Sequence, residues 1–251
     1  MELKNRGMKT FADMNHFLDG TRFSNDLSVP LRQPYFAGDR TAYLVEIVKG
    51  KTVLHIGCVD HLPLVEQKIN SNTWLHKNLQ GSAKRCVGID INKDGIDWLR
   101  QKGIPEVFYC DILNDALPSE LSECYFDLVI LGEMIEHVDS PIDFLKRIRA
   151  NLRDKAKTLV VTTPNAFRVQ NVVSSLKGYE RINTDHRFWF TPYTIAKNLV
   201  LAGFSPTEIR TIWNFVETKK ITSILKLFIA KWIPGMQDSL IAIAEFKSDK
   251  K

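Results

Sequence analysis

Residues 126–138 read FDLVILGEMIEHV. An almost unbroken apolar run, rich in Val, Ile and Leu, meets a glycine and then two carboxylates and a histidine. A run this short is too brief for a helix and lacks the alternation of a half-exposed strand. It predicts a strand buried on both faces, with polar groups where the strand ends. The same grammar recurs outward from it. Upstream, strands are predicted at 52–56, 85–89 and 106–110, ending at Gly57, Asp90 and Asp111; downstream, 158–162 ends in Thr163-Pro164-Asn165. Longer amphipathic stretches at 64–79, 94–102, 141–152 and 192–202 alternate with them, and Gly103 and Gly203 follow two of these as stop signals. Two closely spaced strands, 207–213 and 239–246, finish the series. Alternating strands and helices closed by paired strands predict an α/β fold, a Rossmann-like doubly wound sheet with an altered edge.

Composition agrees. The chain has 251 residues, 44% apolar and 25% charged, enough for one domain with a modest appendage and too apolar for a disordered chain. We read 1–49 as an N-terminal helical cap, with a helical stretch near 39–48, and 50–251 as the main domain. The net charge of +5 is spread thinly, which fits an anionic ligand or surface but not a dedicated nucleic-acid binder. Cys58, Cys86, Cys110 and Cys124 form no CxxC pair, and neither a leader-like apolar segment nor a membrane-length run is present, so a cytoplasmic protein is expected.

In such a sheet the ligand lies at the carboxyl ends of the strands. Gly57 lets backbone approach a ligand closely. Asp90, beside Ile91, is an acid at the tip of the second strand, suited to accept bonds from ribose hydroxyls. Asp111 and Ile112 offer a carboxylate and an apolar face, suited to the amine and the plane of adenine. These motifs, VLHIGC, GID, CDIL, FDLVILGEMIEHV, TTPN and DHRFWFTPYTI with a following AGF, together resemble a class I S-adenosylmethionine-dependent methyltransferase over about residues 50–246. The subgroup resembled is the ubiquinone-type and glycan-associated small-molecule O-methyltransferases. The resemblance implies a seven-stranded sheet with an antiparallel last strand and S-adenosylmethionine as cofactor, released as S-adenosylhomocysteine. It also implies that Gly57 underlies the methionine part, Asp90 holds the ribose, and Asp111 with Ile112 reads the adenine, while Leu131 and Gly132 lie along the cofactor. One loop departs from the pattern: Gly57-Cys58-Val59-Asp60-His61 has a β-branched residue where a glycine is expected. Either Asp60 or His61 replaces the family's missing acid, or the pocket binds weakly.

Methyl transfer to a hydroxyl calls for alignment and a general base, and His137 and His186 are the candidates. Glu133-x-x-Glu136-His137 also matches a metal-binding pattern of ubiquinone-type enzymes. The same letters recur in metal-free relatives, and the sequence reading favours a histidine base over a divalent metal. His55, His61 and His76 match no zinc spacing and are read as packed or cofactor-facing. Phe188, Trp189, Phe190 and Tyr193, with Tyr35 and Phe36, could stack on an aromatic or carbohydrate acceptor. The stretch 219–233, KKITSILKLFIAKWI, has a basic amphipathic pattern suited to a membrane surface, a lid or a dimer face, or simply to packing on the sheet. The expectation is O-methylation of a small-molecule or glycan acceptor, with no nucleic-acid partner. N-methylation of a small, possibly phosphorylated, amine and a degenerate cofactor-binding subunit are the alternatives.

Overall fold

The computed structural model describes residues 11–31, 36, 38–60, 62–214 and 232–246. Among them seven strands form one sheet: β1 Thr52–Ile56, β2 Arg85–Asp90, β3 Val107–Tyr109, β4 Phe126–Gly132, β5 Ala156–Pro164, β6 Phe204–Ile212 and β7 Ser239–Phe246. Their order is β3-β2-β1-β4-β5-β7-β6; β7 runs antiparallel to β5 and β6, and every other pairing is parallel. The helices are α1 Asn15–Leu18, α2 Arg40–Ile47, α3 Leu62–Asn70, α4 Leu75–Gln80, α5 Lys93–Gln101, α6 Pro141–Leu152, α7 Val169–Leu176 and α8 Pro192–Leu201. This is a Rossmann-like doubly wound sheet with an antiparallel last strand, as the resemblance implies. The strand order reverses between β1 and β4, so a crevice opens beyond their carboxyl ends. None of the described helices is long and apolar enough to cross a membrane.

Both faces of the sheet are covered, as the apolar runs require. Leu54, Ile56, Val129 and Leu131 join α6 and α8 in the larger core, while Val53, Leu128, Ile130 and Ile241 pack against Tyr43 and Leu44 of α2 on the other face. Two helical expectations differ from what forms. The span 64–79 is broken into α3 and α4, because Asn72 adopts φ 54 and turns the chain between them. The α7 helix was not foreseen. Its apolar Val172, Val173 and Leu176 face outward rather than marking a core stripe. Residues 219–231 of the basic amphipathic stretch lie outside the described residues; Trp232 and Ile233 are exposed.

His55 on β1 and His76 on α4 are both buried, with Nδ1 atoms 3.2 Å apart, so one donates to the other and both rings are neutral. Burial, and then the nearby Arg40 charge, pull His55 down to about 4; burial and His55 hold His76 well below its usual value. An unfolded chain binds these protons near pH 6.5, whereas the folded one refuses them. Stability is therefore full above pH 6.5 and falls as acid is added, until His55 itself charges near pH 4. At pH 5 the expected loss is about 2 kcal/mol per buried imidazole relative to pH 7.5. Urea unfolding at the two pH values checks this, and a His55→Leu/His76→Phe chain should lose most of the difference.

Candidate active site

The crevice is built from loop tips. Gly57 follows β1 at φ 75, a conformation that favours glycine, with Met134 Sδ 2.9 Å from where a Cβ would sit. The irregular first loop needs no further glycine: among the described non-glycine residues only Asn72 and Glu133 have positive φ. Val59 therefore keeps ordinary backbone. Its side chain packs against Gly95, where an added Cβ would lie 2.5 Å from it.

Asp90 anchors two loops. Its Oδ2 accepts from Val59 N–H at 2.9 Å and its Oδ1 from Asn92 N–H at 2.9 Å. Asn92 in turn caps α5 through Gly95 N–H. Burial raises the Asp90 pKa against the pull of these amides. A carboxylate has about four lone-pair sites, so two remain for hydroxyl donors. Asp111 turns back on its own loop, accepting from Leu113 N–H at 3.0 Å and Asn114 Nδ2 at 2.7 Å. Asp60 is ion-paired with Lys68, Ile91 is largely exposed, and Gly132 lies beneath Leu75 and His55. Three other residues expected at the cofactor, Cys58, Ile112 and Leu131, are buried among apolar neighbours. Cys58 is buried with Trp74 and Ile96, and its carbonyl accepts from Trp74 Nε1. Ile112 and Leu131 are buried in the larger core.

The chemistry gathers after β4. Glu136 sits in the short 3₁₀ turn Ile135–His137 and is 1% exposed, with neither carboxylate oxygen hydrogen-bonded in the usual geometry. Burial, aided by the Glu133 charge, raises it to about 8 despite the Thr163 hydroxyl and Arg40 nearby. His137 Nδ1 lies 3.1 Å from the Asp185 carbonyl, so that nitrogen carries the proton and donates. Its Nε2 lone pair is left 4.0 Å from Glu136 Oε1. His186 stands edge-on to His137, ring centres 4.8 Å apart, with its Nδ1 buried and unpartnered. Burial and then His137 lower its pKa. The ligand atoms of Glu136, His137 and His186 all lie within 4.8 Å of one another. A carboxylate and two imidazoles with unused lone pairs fit a divalent ion as well as a proton relay. Glu133, expected in that set, is committed elsewhere: at φ 52 it pairs with Arg40 at 2.9 Å and accepts from Ser239 at 3.1 Å. His186 takes its place.

The two histidines meet because Arg187 fastens their loops together. Its N–H donates to the Glu136 carbonyl at 2.8 Å, and its Nη1 donates to the His137 carbonyl at 2.5 Å and pairs with Asp139 at 3.0 Å. Arg187→Met should lower turnover about tenfold, the loss of roughly 1.4 kcal/mol of positioning. Cofactor affinity should not change. Steady-state kinetics beside a binding titration separates the two, and the imidazole NMR signals of His137 and His186 should move together.

A profile of the methyltransferase-domain family matches residues 31–209. The chain belongs to this methyltransferase family. A curated relative, the protein N-terminal and lysine N-methyltransferase EFM7 of Debaryomyces hansenii, is 28% identical over 133 residues, covering 48% of this chain and 50% of its own length. The methyltransferase thus spans about half the length of that relative. Among solved structures, the small RNA methyltransferase HEN1 superposes with TM-score 0.53 at 19% identity, over 89% of this chain and 28% of its own. The complex of the Haloferax volcanii Trm112 methyltransferase activator with a methyltransferase gives 0.53 at 12%, over 84% and 89%. At such identities these likenesses establish the fold alone. The family implies that this methyltransferase uses S-adenosylmethionine. Arg40 and Arg187 were missed by sequence reading; each acts across a long chain separation, where no periodic signal exists.

Proposed function

We propose that this enzyme transfers the methyl group of S-adenosylmethionine to a hydroxyl of a small-molecule or glycan acceptor. The observation that carries this reading is the buried Glu136 side chain held beside His137 Nε2 and the unpartnered His186 Nδ1. A neutral amine needs no such group, whereas a hydroxyl does. Asp90 offers its two remaining acceptor positions to the ribose, and Gly57 leaves the floor open beneath the methionine part. The acceptor hydroxyl gives its proton to His137 Nε2, and the Asp185 carbonyl steadies the imidazolium through Nδ1–H. The acceptor oxygen forms the new C–O bond as the C–S bond breaks; the electron pair stays on sulfur and S-adenosylhomocysteine departs. Glu136, His137 and His186 would hold a divalent ion if one is used, and its chemistry is to lower the pKa of a bound hydroxyl.

The half-length likeness to a protein N-methyltransferase favours a second reading, N-methylation of an amine. Labelled methyl transfer to phenol, glycoside, amine and peptide panels separates the two. Label in ether linkages supports the first reading; label confined to amines overturns it. Repeating the assay after chelation and after adding back Mg²⁺, Mn²⁺ or Zn²⁺ tells a metal site from a histidine base.

A further inference from the structure

Beside the histidine cluster, α7 and the turn that follows it enclose an open cavity of about 490 Å³. Its walls include Asn171, Ser175, Tyr179, Glu180, Arg181 and Trp189. None of these residues is part of the core, and Asn171 ties the cavity wall to the loop after β5 through the Ala166 carbonyl at 3.1 Å. Trp189 is held from three sides while remaining part of the wall. Its Nε1 donates to Glu180 Oε1 at 2.9 Å, the Arg168 guanidinium lies 4.8 Å over its ring, and the His186 ring centre is 5.9 Å away, edge-on. A tryptophan locked this way without burial is a prepared surface, because little rotamer freedom remains to be lost when a ligand rests on it.

We propose that this cavity is the acceptor subsite and that its ligand is a sugar ring. The inference rests on the hydroxyl-methylating reading above and assigns it a place and a ligand class. Size admits one or two rings, since small-molecule clefts span roughly 300–1,000 Å³. The lining selects among ligands of that size. The Ser175 hydroxyl, Glu180 carboxylate and Arg181 guanidinium in the wall disfavour a hydrocarbon, which would cut them off from water. Glu180 beside Arg181 disfavours a polyanion as well as a polycation. A neutral ring with apolar C–H faces and hydroxyl edges matches both halves: Trp189 and Tyr179 meet the faces, and Glu180, Arg181 and Ser175 meet the hydroxyls. The contact between Trp189 and His186 then brings an edge hydroxyl of that ring toward the cluster that takes its proton.

Saturation-transfer NMR with the protein loaded with S-adenosylhomocysteine, using a panel of p-nitrophenyl glycosides and p-nitrophenol itself, tests the assignment. Saturation should reach the sugar C–H protons of at least one glycoside. It should vanish in Trp189→Ala and persist in Trp189→Phe, and Glu180→Gln should weaken the glycoside at least tenfold. S-adenosylhomocysteine affinity should stay within twofold in all three, which also certifies folding. Saturation of no sugar proton in the panel, saturation of the nitrophenyl ring alone, or equal saturation in Trp189→Ala overturns the proposal. The two readings fail separately. Trp189-dependent sugar binding without ether-linked label after adding S-adenosylmethionine keeps the subsite and removes O-methylation. Methylation of glycosides that ignores Trp189 does the reverse.

Discussion

His137→Ala is expected to lower turnover by about a hundredfold to ten-thousandfold, the range that general-base assistance contributes. His186→Ala and Glu136→Gln should fall in the same range. The effect belongs in kcat, because none of the three residues lines the strand-tip loops at Gly57 and Asp90. The S-adenosylmethionine dissociation constant should remain within about twofold, a difference of roughly 0.4 kcal/mol. The triple variant should be scarcely worse than the worst single one, since groups that act as a unit are strongly non-additive. Glu136→Gln is the most informative of the set. It keeps the shape and removes a buried group that can hold or release a proton next to His137 Nε2, 4.0 Å away. Normal turnover in all three single variants on a hydroxyl acceptor would dismiss the cluster as the acceptor-activating group.

Asp90→Ala should weaken S-adenosylmethionine by about a hundredfold or more. Two losses combine. Hydrogen bonds to a charged group contribute about 1.5–3 kcal/mol each, so losing two ribose bonds accounts for the hundredfold at the low end of that range. The Val59 and Asn92 amides, now held by this carboxylate, would also lose their acceptor, which loosens the loops on both sides of the crevice. Asp90→Asn should be milder, near tenfold, because its amide oxygen still serves one side. Asp111→Ala supplies the contrast, since its carboxylate binds only its own turn in the free protein. Calorimetric titration measures all three. An unchanged affinity in Asp90→Ala would remove that residue from the ribose site.

Where the sequence was readable, a local pattern decided the outcome. The buried strands β1 and β7 and the helix α6 were located to the residue, since apolar runs and the Ser140-Pro141 start leave little latitude. The paired final strands followed from their close spacing, and the strand-tip acids from the period of the fold. Other features obey no local rule. Nothing in the letters 70–74 demands that Asn72 turn left-handed and split α3 from α4. The outward apolar face of α7 has the wrong sense for a core helix, so its pattern was not taken as one. Glu133 looked like a partner of Glu136, yet Arg40, 93 positions earlier by number, claims it. The meeting of His137 with His186 spans 49 positions and depends on Arg187, whose role becomes visible only when both loops are in place. Cys58, Ile112 and Leu131 lie at or just beyond the strand ends where the sequence places them, and each is buried.

The clamp on Glu133 has a consequence for how the enzyme is born. It is tied by Arg40 from α2, by Thr162 from β5 and by Ser239 from β7. On a ribosome these residues emerge in the order 40, 133, 162, 239, so the knot cannot be completed until nearly the whole described chain has been made. Such contacts across long stretches of sequence are the slow ones in folding. A nascent chain that stops short of β7 leaves Glu133 lacking one of its ties, only three residues from Glu136. The turn that carries Glu136 and His137 thus gains its last neighbouring tie only when β7 is in place.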